Sequence, residues 1–118
     1  MRLSKIAEVL EAEVISGKHL LDREIPCAFS CDLISDILKC TIEQTLLLTG
    51  LTNPQILRTA EMIDLLGIVI VRGKKLPKDV IEEAEIEKIP IMGTKFTMFE
   101  ASGRLFKAGL RTCRIKRE

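Results

Sequence analysis

Apolar residues follow two patterns along this chain, because segments with the helical period alternate with short runs typical of strands. The predicted helices each carry an apolar stripe, and they cover residues 5–11, a segment ending near 40, 54–66, 77–88 and a segment that begins at 97. The predicted strands are short and rich in apolar residues, and they cover residues 13–16, 25–31, 44–49, 68–71 and 89–92. Since strands alternate with helices through short loops, the pattern predicts an α/β fold, a small three-layer sandwich with a largely parallel sheet.

Residues that favour turns and helix ends set the predicted boundaries. The predicted N-caps are polar residues before a helix: Ser4, Asp32 or Ser35, Asn53 and Thr97. Glu100, three residues after Thr97, completes the sequence of a capping box. Gly17 and Gly67 are predicted to end the first strand and the third helix. Pro26 donates no ladder hydrogen bond, so the strand at 25–31 is predicted to lie at a sheet edge or to start at this proline.

Composition narrows the class of protein. The 118 residues are enough for one domain, and 47% hydrophobic with 30% charged residues is typical of a globular protein. The chain has four Phe and neither Trp nor Tyr, which argues against aromatic cages and base-stacking platforms.

The net charge of +1 conceals an uneven distribution. Residues 1–103 carry 12 basic and 16 acidic side chains, whereas 104–118 carry six basic and one acidic. A short basic end without interleaved aromatic residues is typical of a solvated tail, which disfavours nucleic acid as a partner.

The start of the chain and its apolar runs argue against export and membrane insertion. Glu8, Glu11 and Glu13 interrupt the apolar stretch that a signal peptide requires. The apolar runs are far shorter than the roughly 20 residues that span a bilayer. We therefore expect a cytoplasmic protein with no membrane partner.

Four cysteines, Cys27, Cys31, Cys40 and Cys113, could form two disulfides, but the expected compartment favours reduced thiols. Their spacing matches no zinc pattern. Alternation in the strand at 25–31 favours Cys27 and Cys31 as small buried residues. A metal site made of Cys27, Cys31 and Cys40 stays an open alternative, and no cofactor is predicted.

The chain contains no motif of a P-loop, a dinucleotide cradle, a zinc protease or a serine hydrolase. The run at 67–75 has one residue too many between its glycines for a P-loop, and Lys75 stands where Ser or Thr is required. His19, the single histidine, lies in a predicted turn. The sequence therefore predicts no catalytic residue, and we do not expect an enzyme.

Asp32 and Asp36 stand four residues apart and are predicted to share a helix face. Paired carboxylates could bind a divalent ion or act as a base. The favoured interpretation is structural, because acidic residues stabilise the positive end of a helix dipole.

Three loops that follow predicted strands suggest a ligand site. In open α/β sheets, ligands bind beyond the carboxyl ends of parallel strands, where helix N-termini and free N–H groups attract anions. The candidate ligand-binding residues lie in these loops: Thr52, Asn53, Arg72, Lys74, Thr94 and Lys95. A small anionic metabolite or nucleotide would suit them. The alternative is that these are ordinary loop and capping residues.

The last predicted helix is apolar around much of its circumference, more than packing on one sheet face requires. Gly103 in its middle suggests close approach of another backbone. We predict an interface that includes Phe99, Gly103, Phe106 and Leu110, with a homodimer as the simplest case.

One long segment, residues 21–36, resembles the signature of the DRTGG domain family, and the resemblance continues at 51–54, 70–73 and 89–100. The last of these is also similar to the N-terminal domain of HPr kinase/phosphorylase. The positions that carry the family motif are Asp22, Arg23, Asp32, Ser35 and Asp36. Where the family has Thr-Gly-Gly, this chain has Pro-Cys-Ala at 26–28, which weakens the case for a shared ligand site there.

The resemblance implies one α/β domain over residues 1–110 followed by a basic tail at 111–118. It further implies an accessory, regulatory or dimer-forming role without catalysis. The predicted function is thus a non-catalytic regulatory domain that self-associates, and the alternative is a sensor of a small anionic metabolite or nucleotide.

Overall fold

The computed structural model describes residues 1–40 and 44–114. The helices are α1 (Leu3–Val9), α2 (Ile34–Cys40), α3 (Gln55–Met62), α4 (Lys78–Ile86) and α5 (Met98–Lys107). The strands are β1 (Glu13–Ser16), β2 (Cys27–Ser30), β3 (Thr45–Thr49), β4 (Leu65–Ile70), β5 (Ile91–Gly93) and β6 (Arg111–Thr112). A short 3₁₀ turn, Lys18–Leu20, contains His19, which is exposed.

Within the described ranges the strands form one sheet in the order β1-β5-β4-β3-β2-β6. β1 runs antiparallel to β5, and the other neighbours are parallel. Helices α1 and α5 pack on one face, and α2, α3 and α4 pack on the other. The predicted three-layer α/β sandwich with a largely parallel sheet is confirmed.

The core lies on both sides of the central strand β3, whose five residues are all buried. Leu46 and Leu48 pack beneath α1 and α5, and Leu47 packs beneath α2, α3 and α4. Burial on both faces explains why three leucines, 46–48, follow one another in this strand instead of alternating with polar residues.

The boundary between α3 and β4 differs from the prediction. The helix ends at Met62, the chain turns at Asp64 with φ +56°, and β4 already begins at Leu65. Gly67 therefore lies inside the strand instead of ending the helix. A Cβ there would stand 3.2 Å from side-chain atoms of Leu3 and Leu46, so the glycine allows α1 to pack closely on the sheet.

The predicted caps have mixed outcomes. Thr97 caps α5, since its Oγ1 accepts a hydrogen bond from Glu100 N at 3.3 Å. Ser4 lies inside α1, which begins earlier than predicted. Asn53 contributes its main-chain carbonyl to the turn before α3, and no side-chain cap forms there. Ser35 lies within α2.

The C-terminal end of the described chain belongs to the sheet. β6 pairs with β2, so β2 is not the edge strand, and Pro26 stands directly before its first residue. The tail predicted at 111–118 therefore begins as a strand, and its residues 115–118 lie outside the described part of the chain.

Cys27 and Cys113 form a disulfide between β2 and the residue after β6, so the expectation of reduced thiols is wrong for this pair. Cys31 is a free, half-buried cysteine. The disulfide removes Cys27 from the metal site considered with Cys31 and Cys40. The described residues contain no group of three His, Cys, Asp or Glu side chains that could hold a metal ion.

None of the helices in residues 1–40 and 44–114 combines the length and the apolar character that crossing a membrane requires.

Candidate functional site

Four parallel strands end on the same side of the sheet, and the loops that follow them form one surface. We call this surface the carboxyl-end rim, and it comprises residues 31–33, 50–54, 71–75 and 94–97. It contains all six ligand-binding residues predicted from the sequence, so the parallel sheet brings three separate loops together as expected.

Asp32 joins two of these loops. Its Oδ1 accepts hydrogen bonds from Thr49 Oγ1 at 3.0 Å and from Gly50 N at 2.6 Å. Thr49 Oγ1 in turn accepts a hydrogen bond from Leu51 N at 3.1 Å. These bonds fix the carboxylate of Asp32 at the end of β3. The prediction that Asp32 caps α2 is therefore wrong.

Gly50 lies beneath a group of charged side chains. A Cβ at Gly50 would stand 3.0 Å from Arg72 Nη2, 3.5 Å from Asp32 Oδ1 and 3.6 Å from Lys74 Cδ. The absence of a side chain therefore allows the guanidinium and the carboxylate to lie against the main chain.

The loop that carries Arg72 is held in an uncommon conformation. Arg72 and Gly73 have φ +62° and +65°, and this left-handed region costs a non-glycine residue on the order of 1 kcal/mol. The N–H groups of Arg72 and Gly73 donate to Phe96 O at 2.8 Å and Thr94 O at 2.9 Å. These bonds fix the positions of two rim loops relative to each other.

Four basic side chains on the rim are exposed, and none of them forms an ion pair with a described residue: Arg72, Lys74, Lys75 and Lys95. Asp32 is the acidic residue of the rim. The excess of positive charge stands out because residues 1–103 are acidic as a whole. Such a surface attracts anions.

The other predicted ligand residues differ in their exposure. Asn53 is exposed and Thr52 is half-buried on the loop after β3. Thr94 is only 2% exposed, and its hydroxyl donates to Leu10 O at 2.8 Å and accepts from Phe96 N at 3.3 Å. The Thr94 hydroxyl therefore stabilises the loop from inside the protein and is not exposed to contact a ligand.

The family-motif residues do not form one cluster. Arg23 donates to Leu66 O at 3.1 Å, near the amino end of β4 and thus at the opposite end of the sheet from Asp32. Asp22, Ser35 and Asp36 are exposed. Asp32 is not among the rim residues predicted from the sequence. The usable signal was its place directly after β2, because β2 is parallel to β3 and the loops after both strands lie at the same edge of the sheet.

A second surface lies between α5 and the strands β2 and β6. We call it the α5 groove, a cavity of about 870 Å³ that is mostly apolar. The residues predicted for an interface all line it: Phe99, Gly103, Phe106 and Leu110. Its opposite wall includes the small residues Ala28 and Ser30, and Ser30 Oγ lies 2.7 Å from Ser102 Oγ.

Exposure along α5 is unusual for such apolar residues. Phe99 is 90% exposed and Phe106 is 67% exposed, whereas Leu110, which lines the same groove, is buried. Gly103 lies between the two rings, and a Cβ built on it would meet no atom within 4 Å. No part of the described chain therefore explains why a glycine stands here.

Comparison with known proteins gives a match to a family and a similarity in fold to a solved structure. The sequence profile of the DRTGG domain matches residues 5–108. Among solved structures, the chain is similar to the crystal structure of the CBS and DRTGG domains of the regulatory region of Clostridium perfringens pyrophosphatase, complexed with the activator diadenosine tetraphosphate. The TM-score is 0.68 at 18% sequence identity, over 88% of this chain and 45% of that chain. This chain thus spans less than half of the length of that structure. No match to this chain was found among curated proteins.

Proposed function

The chain belongs to the DRTGG domain family, and from this premise we propose that it is a non-catalytic regulatory domain that binds a small anionic metabolite or nucleotide at the carboxyl-end rim. The observation that carries this proposal is the group of exposed basic side chains on the rim, two of which, Arg72 and Lys74, lie over Gly50; none of the group forms an ion pair with a described residue.

Phosphate and carboxylate groups suit this arrangement. Arg72 offers a planar set of donors that matches an anion in bidentate fashion, and Lys74 and Lys95 add mobile point charges. The stem of Lys95 passes close to Gly73, since a Cβ there would lie 3.9 Å from Lys95 Cγ. The three side chains come from loops that main-chain hydrogen bonds hold together, so little ordering of the loops would accompany binding.

The similar clostridial structure is compatible with this class of ligand. That protein's regulatory region contains CBS domains as well as a DRTGG domain, and it is complexed with the activator diadenosine tetraphosphate. A regulatory role for an anionic ligand is thus known in a protein that contains this fold.

We expect a panel of phosphate compounds to raise the melting temperature of the protein. ATP, ADP, inorganic pyrophosphate and glucose 6-phosphate are suitable probes for differential scanning fluorimetry. A ligand at about 100 times its Kd stabilises the folded state by about 2.7 kcal/mol. Replacing Arg72 with alanine should weaken binding at least about tenfold, because hydrogen bonds to charged groups contribute about 1.5–3 kcal/mol.

The matched control is Lys18→Ala, which removes an exposed cation next to Gly17, at the end of the sheet where β5 begins. This variant should bind as the wild type does. A flat response to the whole panel, or equal loss of binding in the two variants, would contradict a ligand site at the rim.

Self-association through the α5 groove is a second candidate function, and the exposed Phe99 and Phe106 favour it. A second copy fits this surface because an antiparallel pair of α5 helices would cover both rings and bring the two Gly103 backbones together. In such a pair the acidic start of one helix, at Glu100, lies beside the basic end of the other, at Lys107.

Phe96 connects the two surfaces. Its carbonyl accepts the hydrogen bond from Arg72 N on the rim, and its ring lies 4.0 Å from the guanidinium of Arg104 on α5. Ligand binding that moves the Arg72 loop would therefore act directly on the helix that carries the groove.

Replacing Phe106 with serine should weaken self-association at least about tenfold, because buried aromatic residues at interface centres commonly contribute 2 kcal/mol or more. Light scattering over a concentration series measures the change in mass. Met62→Ser is the control, since Met62 is 70% exposed on α3, on the opposite face of the sheet. A wild-type protein that stays monomeric throughout the series would refute the dimer.

A further inference from the structure

We propose that the rim recognises a phosphorylated sugar such as the ribose phosphate of a nucleotide, with Asp32 accepting a hydrogen bond from a sugar hydroxyl while Arg72 and Lys74 bind phosphate. This inference rests on the proposed function and names the ligand class of the same site. It starts from a carboxylate on a surface that otherwise attracts anions.

Asp32 is held in place through one of its two oxygens. Oδ1 accepts both hydrogen bonds that fix the side chain, from Thr49 and from Gly50. Oδ2 has no hydrogen bond to the described residues, and the residue is exposed. A carboxylate with one oxygen anchored and the other accessible is a preorganised acceptor.

The carboxylate also stands beside the phosphate-binding groups without neutralising them. Asp32 Oδ1 and Arg72 Nη2 both lie within 3.5 Å of the point where a Gly50 Cβ would stand. Even so, these two side chains form no ion pair within the described part of the protein. Both groups therefore remain available to one ligand, which they would contact at adjacent positions.

The chemistry of Asp32 specifies what the ligand places there. An ionised carboxylate accepts hydrogen bonds and donates none, so a phosphate oxygen would be repelled and a hydroxyl would be bound. A divalent ion is another group that a carboxylate attracts, but the neighbouring cations Arg72 and Lys74 disfavour it. An N–H group of a base could also donate to a carboxylate, and such a contact would be the same for two nucleotides that differ only in their ribose hydroxyls. A sugar hydroxyl can donate a hydrogen bond to the carboxylate, and because it is neutral the neighbouring cations do not repel it.

Titration calorimetry with ATP and 2′,3′-dideoxy-ATP, in EDTA, tests this inference. The two nucleotides carry the same phosphates and base and differ only in the ribose hydroxyls. We expect the wild type to bind ATP at least about tenfold more tightly, because a hydrogen bond to a charged group is lost with the analogue. In Asp32→Asn the preference should fall to about threefold or less, since the amide oxygen keeps the bonds from Thr49 and Gly50 while the accessible oxygen is replaced by a donor.

Asp79→Asn is the control, because Asp79 is an exposed carboxylate in the first turn of α4, and it should keep the wild-type preference. Equal affinity for the two nucleotides, with both weakened by Arg72→Ala, would overturn this inference and leave the anion site intact. Binding that requires added Mg²⁺ would overturn it in favour of a metal at Asp32. Binding of neither nucleotide would overturn the inference, and a failure of inorganic tripolyphosphate and of every compound in the panel above to bind would overturn the proposed function with it.

Discussion

Replacing Leu47 with alanine is expected to lower the free energy of unfolding by about 2–5 kcal/mol. Leu47 is fully buried in the middle of β3, which pairs with β2 on one side and β4 on the other. Its side chain contributes to the cluster beneath α2, α3 and α4. The loss combines the transfer energy of the removed carbons with the cavity that remains, because strands on both sides limit relaxation.

Chemical denaturation of the wild type and of Leu47→Ala measures this difference. Leu33→Ala removes the same atoms from a side chain that is 56% exposed, so we expect a change within about 0.5 kcal/mol. If the two alanine variants were equally stable, the central position of β3 in the sheet would be wrong.

Replacing Gly17 with alanine is expected to lower the free energy of unfolding by at least about 2 kcal/mol, because left-handed backbone strain and a steric clash add together. Gly17 has φ +76°, and a Cβ there would stand 2.7 Å from the main-chain Cα of Pro90. The backbone cannot yield easily at this point, because Gly17 N donates to Glu85 Oε1 at 2.6 Å and Ser16 Oγ donates to Ile89 O at 2.6 Å.

The opposite result is expected for Gly103→Ala, measured at a concentration where the chain is monomeric. A Cβ at Gly103 meets no atom within 4 Å, and alanine favours a helix interior by about 1 kcal/mol over glycine. Thermal unfolding of the two variants should therefore give shifts of opposite sign. Two shifts in the same direction would contradict the packing assigned to one of these glycines.

The sequence pattern predicts most of the fold because its signals are local. The β1 span, the Thr97 cap and the start of α4 after Pro77 each depend on residues close in sequence, and each is found in the structure. The pair Leu65–Leu66 fits a helix and a buried strand equally well, and only the sheet decides between them. β6 is two residues long and exists through its pairing with β2, which no local pattern indicates.

The candidate site was predictable to the extent that it follows from connectivity. Parallel strands place their following loops on one rim, so connectivity alone predicts that Arg72, Lys74 and Lys95 lie on the same surface. Two features required tertiary contacts: Asp32 reaches across to the end of β3, and Thr94 turns inward to the carbonyl of Leu10. The residue types of a loop do not show whether a threonine hydroxyl points into the protein, as that of Thr94 does, or faces a ligand.

The most direct test of a ligand site at the rim is a ¹H–¹⁵N spectrum recorded during titration with ATP. We predict shifts of the amides of Gly50 and Gly73, whose N–H groups lie beside Asp32 and Arg72, with the amides of Lys18 and Gly109 unchanged. These shifts should be absent in Arg72→Ala. A spectrum that stays unchanged, or shifts confined to α5 and β6, would contradict the account.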